Sequence, residues 1–183
     1  PQRMARPRDT EALRELVRSH APAPIRPAGS GHSFTPLCAT TGTLVSLDEL
    51  SGLVEIDHAA ATARLGAGTV LKAASGELDA HALAFRNLGD INVQTLAGAI
   101  ATATHGTGAR FGCLSSEVRA VRLMVAGGDI ITASRDQDEP LLRAAQVSLG
   151  ALGLLTEAEI QLMPACNLHR RVWSQPIGDI LAS

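Results

Sequence analysis

The segment over residues 27–34 constrains this chain more than any other, because it combines glycine, serine and histidine in the order Pro-Ala-Gly-Ser-Gly-His-Ser-Phe. Glycine adopts positive φ angles and lets a ligand approach the backbone closely. Successive backbone N–H groups in such a turn form a concavity that holds anionic oxygens. The segment therefore predicts a loop around a phosphate-bearing cofactor, with His32 beside it.

A second segment, residues 87–108, consists mainly of glycine, alanine, threonine and apolar residues and carries one acidic side chain, Asp90. Small side chains leave room for a flat ligand against the backbone, and the threonines offer hydroxyl donors. A third segment, residues 150–156, places glycines before a strand whose backbone can meet an adenine edge. Together with the first segment, these stretches point to a phosphate-bearing cofactor.

The rest of the chain predicts short strands and helices that interleave irregularly, which favours an α+β fold in two lobes over a doubly wound sheet. Apolar residues at helical spacing predict the first helix, and two glycines at 127 and 128 predict a hairpin turn. The predicted helices cover residues 9–20, 69–82 (capped by Thr69) and 140–148, with a further small-residue helix in 95–103. The predicted strands cover residues 25–26, 43–47, 53–57, 62–66, 118–126, 129–133 and 154–163.

Composition excludes several classes of protein. The formal net charge is -2 and 45% of the 183 residues are hydrophobic, which indicates a globular chain without a basic nucleic-acid face. No apolar run reaches the ~18 residues of a membrane helix. Three widely spaced cysteines argue against a disulfide framework and for a reducing, cytoplasmic compartment. The cysteines and histidines lack metal-ligand spacing, so no metal site is expected.

Residues 66–71, Gly-Ala-Gly-Thr-Val-Leu, are the best match to a dinucleotide-binding fingerprint, because a predicted strand precedes them and a predicted helix follows. Leu71 occupies the position of the third glycine, where a bulky side chain obstructs close packing of helix on strand. The chain has no Gly-Lys-Ser or Gly-Lys-Thr run for a P-loop. An NAD-binding module therefore stays open as the weakest alternative.

The three segments, in their order along the chain, resemble the vanillyl-alcohol oxidase flavoprotein family, and within it the sugar-lactone and alditol oxidase branch. The similarity covers residues 3–164 and rests on residues 28–34, 87–90, 97–99, 103–108 and 150–153. It implies a two-lobed FAD-binding domain of the p-cresol methylhydroxylase type. We expect a small N-terminal lobe over residues 1–57, a larger mixed-sheet lobe over 58–164, and the start of a mostly absent substrate (cap) domain over 165–183.

The resemblance also implies which residues contact FAD. The loop that holds the pyrophosphate corresponds to Ala28, Gly29, Ser30, Gly31, His32, Ser33 and Phe34, and His32 matches the histidine that bonds covalently to the flavin 8α carbon. Further contacts correspond to Gly89, Asp90, Thr95, Gly98, Thr102, Ala103, Thr104, His105, Gly106, Gly153 and Leu154 or Leu155. Gly89 matches the position that gates oxygen access, and its small size favours an oxidase. Asp90 stands where the branch often has serine, and its carboxylate must turn away from the pyrophosphate.

The implied function is FAD-dependent oxidation of the C–OH group of a sugar lactone or polyol, with hydride transfer to the flavin and O2 reduced to H2O2. The protein's part in such chemistry is binding, orientation and electrostatics. The catalytic base is expected in the cap domain, so no residue of this chain is assigned that role. A dehydrogenase with another electron acceptor and a non-catalytic flavin-binding fragment remain alternatives, and the oligomeric state stays open.

Overall fold

The structure of the protein is a computed structural model that describes residues 1–20 and 23–182. Its strands are β1 (Arg3–Ala5), β2 (Ile25–Ala28), β3 (Thr43–Ser46), β4 (Leu53–Asp57), β5 (Thr62–Gly66), β6 (Leu83–Phe85), β7 (Val118–Met124), β8 (Ile130–Ser134) and β9 (Leu154–Pro164). Its helices are α1 (Thr10–His20), α2 (Leu71–Ala80), α3 (Leu96–Ala101), α4 (Glu139–Ala145) and α5 (Ile177–Leu181), with a 3-10 turn over Leu114–Glu117. These elements confirm the predicted α+β class.

The small sheet has three parallel strands in the order β1-β3-β2. Helix α1 packs on this sheet through Leu13 and Val17, which are buried in one cluster with Val45 of β3. The helix begins where the Asp9 carboxylate accepts a hydrogen bond from the Ala12 amide at 2.7 Å, as an N-cap residue does. The spacing of its apolar residues predicts this helix, and the prediction is confirmed.

The large sheet runs in the order β4-β5-β9-β7-β8, and β6 pairs with β9 as well. Neighbouring strands are antiparallel. Strand β9 is central, and its alternate residues Ala158, Ile160 and Leu162 are buried in the main core, as the period of two in a strand requires. Helices α2 and α3 contribute Leu78 and Leu96 to the same core, so they shield one face of this sheet from solvent.

The change from one sheet to the other falls earlier than the predicted lobe boundary. Strand β3 ends at Ser46 in the small sheet, and β4 begins at Leu53 in the large sheet, where it pairs with β5. Strand β4 thus belongs to the large sheet, although it precedes the boundary predicted after residue 57, and the division into lobes stays a prediction. The physical reason is local, because strands joined by a short turn, here residues 58–61, usually pair with each other.

The start of α2 also differs from the prediction. The helix begins at Leu71, and Val70 at its N-cap position makes no side-chain cap. The hydroxyl of Thr69 instead donates to the Gly66 carbonyl at 2.6 Å and accepts a hydrogen bond from the Gly52 amide at 2.9 Å. Thr69 therefore closes the turn after β5 and does not cap the helix. Strands β1 and β6 were missed because three residues are too few to show alternation.

Residues 165–182 carry the short helix α5 and expose large apolar side chains, among them Leu168 and Trp173. The assignment of this stretch to the start of a further domain stays a prediction. Across the described residues, no helix combines the length and the apolar character that crossing a membrane requires.

Candidate functional site

A cavity of about 400 Å³ opens where elements of the two sheets come together. Strand β2 of the small sheet lines it, as do Leu123 of β7, Leu155 of β9 and helix α3. Ligand pockets commonly enclose ~300–1,000 Å³ and present a few polar groups on a mainly apolar lining. Glycine, alanine and leucine dominate this lining, so the cavity suits a ligand with a broad apolar surface.

One side of the cavity, which we call the loop wall, consists of residues 29–36, and all of them are exposed. The segment predicted to hold the pyrophosphate, residues 28–34, lines the cavity along its whole length. Gly31 has a φ of +76°, which favours glycine. The backbone here bonds locally, as in the hydrogen bond from the Leu37 amide to the Thr35 carbonyl at 2.8 Å. Among the described residues, the loop wall is thus hydrogen-bonded mainly to itself.

A second side, which we call the helix wall, consists of residues 92–98 packed on the turn over residues 67–72. Four backbone hydrogen bonds join these stretches: Ala97 to Ala67 at 2.9 Å, Leu96 to Thr69 at 2.7 Å, Leu71 to Gln94 at 3.0 Å and Lys72 to Asn92 at 2.8 Å. Thr95 caps α3 by accepting a hydrogen bond from the Gly98 amide at 3.3 Å, which confirms the helix predicted within residues 95–103. Because its backbone N–H and C=O groups are hydrogen-bonded to residues 67–72, the fold itself fixes the position of the helix wall.

The two walls and the third glycine-containing segment meet at glycine positions. A Cβ added to Gly29 would lie 2.6 Å from Thr95 Oγ1, so the loop wall rests directly on the cap of α3. A Cβ added to Gly150 would lie 3.2 Å from Cγ of Pro27. Three segments far apart in the chain therefore border one cavity. Their contact with a cofactor stays a prediction.

Two polar side chains of the lining, Gln94 and Arg26, have a hydrogen-bonding atom or a charge that the described residues leave unpaired. Nε2 of Gln94 donates to Thr104 Oγ1 at 3.1 Å, whereas Gln94 Oε1 is buried without a hydrogen-bond partner among the described residues. The guanidinium of Arg26 borders the cavity and donates to the Leu37 carbonyl. Buried polar atoms in proteins are nearly always partnered. An orphaned carbonyl oxygen and a cation suit a ligand that brings hydrogen-bond donors and negative charge.

The structure brings most of the predicted contact residues to the cavity but not all. Those in its described lining are Ala28, Gly29, Ser30, Gly31, His32, Ser33, Phe34, Thr95, Gly98, Thr102, Thr104, Gly153 and Leu155. Those outside the described lining are Gly89, Asp90, Ala103, His105, Gly106 and Leu154. Leu154 is buried in the cluster beneath α1, because successive residues of a strand face opposite sides. Asp90 is exposed and lies outside the described lining.

Gly89 packs against Thr104 and His105 and does not line the cavity itself. A Cβ added to Gly89 would lie 3.2 Å from both the His105 carbonyl oxygen and the Thr104 methyl group. Gly106 is more tightly packed, since an added Cβ would lie 2.3 Å from the Leu88 carbonyl oxygen. These glycines let two stretches of backbone lie against each other, and Gly89 reaches the cavity only through Thr104.

Several lining residues were not among the individually predicted contacts. They are Arg26, Pro27, Leu37, Cys38, Leu47, Ala67, Gly68, Gln94, Ala97, Ile100, Ala101, Leu123, Ala145, Ser148, Leu149 and Gly150. Gly68 belongs to the run rejected as a dinucleotide fingerprint, and a Cβ there would lie only 1.9 Å from the Leu47 carbonyl oxygen. The glycine therefore lets the turn after β5 cross Leu47. The glycines of residues 66–71 therefore indicate close packing of two backbone stretches, although the run does not match a dinucleotide-binding motif.

Cys113 lies outside the described cavity lining. Its Sγ lies 3.1 Å from the Ser115 hydroxyl. This hydrogen bond lowers the pKa of the Cys113 thiol from its usual value and outweighs the opposing effect of burial. The environment of the thiol is thus set by its immediate neighbours in the chain.

Comparison with known proteins gives one family match and several relatives. A family model described as an FAD binding domain matches residues 1–134. An L-gulono-1,4-lactone dehydrogenase of Mycobacterium tuberculosis is 36% identical over 183 residues, which cover 99% of this chain and 42% of that protein. A D-arabinono-1,4-lactone oxidase of Yarrowia lipolytica is 36% identical over 149 residues, which cover 79% of this chain and 28% of that protein. The chain spans less than half the length of these relatives.

A solved structure shares the fold. The crystal structure of a cholesterol oxidase from Brevibacterium sterolicum superposes with a TM-score of 0.77 at 25% identity, over 88% of this chain and 34% of that chain. This likeness confirms the predicted architecture. With the sequence matches, it confirms the resemblance on which the site residues were assigned.

Proposed function

This chain belongs to the family of FAD binding domains, and we propose that it is the cofactor-binding part of a FAD-dependent oxidoreductase acting on the C–OH group of a sugar lactone or polyol. The observation that carries the proposal is the meeting of three glycine-containing segments around one cavity. The names of the matched lactone oxidase and lactone dehydrogenase support the substrate class. The family match is to a flavin domain, which leaves the NAD-binding alternative without support.

The residues around the cavity fit FAD. The loop wall offers backbone N–H groups to the anionic diphosphate, and Gly29 keeps a side chain out of the junction with α3. The helix wall offers Gln94, whose buried carbonyl oxygen needs a hydrogen-bond donor. When bound, FAD supplies a two-electron acceptor for a hydride from the substrate carbon. The part of this chain is to hold, orient and shield that group.

His32 is the proposed site of covalent attachment. It lies on the loop wall, borders the cavity and is exposed. A neutral imidazole nitrogen is a nucleophile. The bond to the 8α carbon replaces one hydrogen of that methyl group and one proton of the imidazole. Its formation is therefore a two-electron oxidation, for which O2 is the final acceptor.

Denaturation tests this attachment. Acid-precipitated wild-type protein is expected to stay yellow and to fluoresce on a denaturing gel, whereas His32→Ala is expected to release its colour. His58→Ala is the matched control, since His58 is exposed and lies outside the described lining. Loss of colour from the wild type, or its retention in His32→Ala, contradicts the covalent link. FAD binding is measured before precipitation, and that measurement tests the cofactor independently of the covalent link.

O2 is the proposed electron acceptor, and the small size of Gly89 supports it. A side chain there would crowd the methyl group of Thr104, which borders the cavity. Stopped-flow mixing of reduced protein with O2 is expected to show rapid reoxidation that Gly89→Ala slows. Gly76→Ala is the control, because nothing lies within 4 Å of its added Cβ. Slow reoxidation of the wild type would favour the dehydrogenase alternative.

Catalysis is tested on the protein expressed at full length, because this chain covers only 42% of its mycobacterial relative. A flavin absorption spectrum and turnover of a sugar lactone or polyol, with matching release of H2O2, are expected. A flavin-loaded full-length protein that turns over no member of a lactone and polyol panel would favour the non-catalytic alternative.

A further inference from the structure

Arg26 differs from most half-buried arginines of the described chain. Arg14, Arg64 and Arg122 each have a carboxylate oxygen within 4.0 Å, which balances a partly buried guanidinium charge. Arg26 and Arg119 take part in none of the ion pairs among the described residues. Of this group only Arg26 borders the cavity beside α3. The cavity thus contains a cation that the described protein leaves unbalanced.

The hydrogen bonding of Arg26 leaves most of its donors unused. Its Nη2 donates to the carbonyl of Leu37, the residue that follows the loop wall. A guanidinium has five N–H donors in a planar fork that matches the oxygen atoms of a phosphate. Arg26 therefore lies at the base of the loop wall, tied to its far end, with donors still available to a ligand.

FAD has the group that would balance this charge. Its diphosphate is anionic, and the described lining of the cavity contains no Lys, Asp or Glu. We infer that Arg26 is the cationic partner of the FAD diphosphate, and that its bond to Leu37 fixes the loop wall around that group. The inference rests on FAD as the cofactor and adds a side-chain charge to the backbone donors of the loop wall.

A purely structural arginine would act differently. If Arg26 only tied Leu37 to β2, its removal would weaken the binding of every flavin to the same degree. A charge partner instead distinguishes flavins by their phosphate groups, so FAD and riboflavin separate the two roles. Charge-assisted bonds are also roughly twice as strong as neutral ones, which makes the difference measurable.

The experiment compares FAD with riboflavin in full-length His32→Ala protein, in which the flavin is exchangeable. Fluorescence titration of Arg26→Met in this background is expected to show FAD binding weakened roughly tenfold or more, with riboflavin binding unchanged. Arg26→Lys keeps the charge and is expected to recover part of the affinity for FAD. Arg119→Met is the matched control, and it is expected to leave both affinities unchanged.

Ionic strength gives a readout that does not depend on the methionine variant folding. Affinity of the His32→Ala protein for FAD is expected to fall with added salt, while its affinity for riboflavin stays level, because salt screens charge pairs. A salt-independent affinity for FAD overturns the inference. Unchanged FAD affinity in Arg26→Met overturns it too, and so does equal weakening of FAD and riboflavin. Flavin binding that survives in every variant leaves the proposed cofactor intact even when the role of Arg26 fails.

Discussion

The loop wall and the helix wall border the same cavity, yet different forces hold them in place. The helix wall is paired to residues 67–72 by four backbone hydrogen bonds, and Leu96 anchors it in the core. The loop wall is exposed from residue 29 to residue 36 and bonds mainly to itself. The fold thus fixes the helix wall, whereas we expect the position of the loop wall to depend on a bound ligand.

This contrast implies unequal local stability. Segments with few buried apolar contacts open at low free energy, whereas segments backed by the core open only when much of the domain unfolds. A ligand that binds only the ordered loop stabilises that state by an amount that grows with the logarithm of the ligand concentration divided by Kd. We therefore expect the helix wall to be ordered before FAD binds and the loop wall to become ordered when FAD binds.

The largest effect is expected from Gly68→Ala, which breaks the helix wall at its base. The new Cβ would lie 1.9 Å from the Leu47 carbonyl oxygen, a backbone atom that can yield only if the chain shifts. We expect the free energy of unfolding to fall by about 4 kcal/mol in chemical denaturation. Gly76→Ala, with open space around its added Cβ, is expected to gain up to ~1 kcal/mol in helix α2. Similar stabilities for the two variants would contradict this packing.

Truncating one apolar side chain on each wall sharpens the comparison. Leu96 is fully buried, so Leu96→Ala is expected to cost about 3 kcal/mol of unfolding free energy. Phe34 is fully exposed, so Phe34→Ala is expected to cost less than about 0.5 kcal/mol. Equal losses in denaturant titrations would show that the loop wall packs as firmly as the helix wall.

A smaller effect is expected where the walls touch. In Gly29→Ala the new Cβ would lie 2.6 Å from Thr95 Oγ1, which must turn away from the Gly98 amide that it caps. We expect a loss of about 1 kcal/mol of unfolding free energy, together with weaker FAD binding. In a Thr95→Ala background the same substitution should cost less, because the clashing hydroxyl is gone. Strictly additive losses of unfolding free energy would show that Gly29 and Thr95 do not interact.

The sequence predicted those parts of the fold whose signal lies within one element. Helix α1 and strand β9 are confirmed because apolar spacing and alternation are visible along their own residues. Strand β4 lies in the large sheet because the turn that joins it to β5 decides its pairing, which no pattern within residues 53–57 shows. Strands β1 and β6 owe their existence to partners distant in the chain.

The same distinction holds for the candidate site. Glycine patterns are local, and they led to residues 28–34, which line the cavity. Arg26 and Leu123 reach it only because the two sheets pack together, which no local pattern encodes. Gly89 lies behind Thr104 and outside the described lining, since packing of two backbone stretches decides its position, and its contact with the flavin stays a prediction.

Hydrogen exchange of full-length His32→Ala protein, measured with and without FAD, tests most directly whether both walls close around this cofactor. We predict that the amides of Leu96 and Ala97 exchange slowly in both states, because their partners lie within the fold. Amides of residues 29–35 are predicted to exchange rapidly without FAD and to slow markedly at saturating FAD. Unchanged exchange in that loop, with protection appearing only elsewhere in the chain, would contradict the cavity as the FAD site.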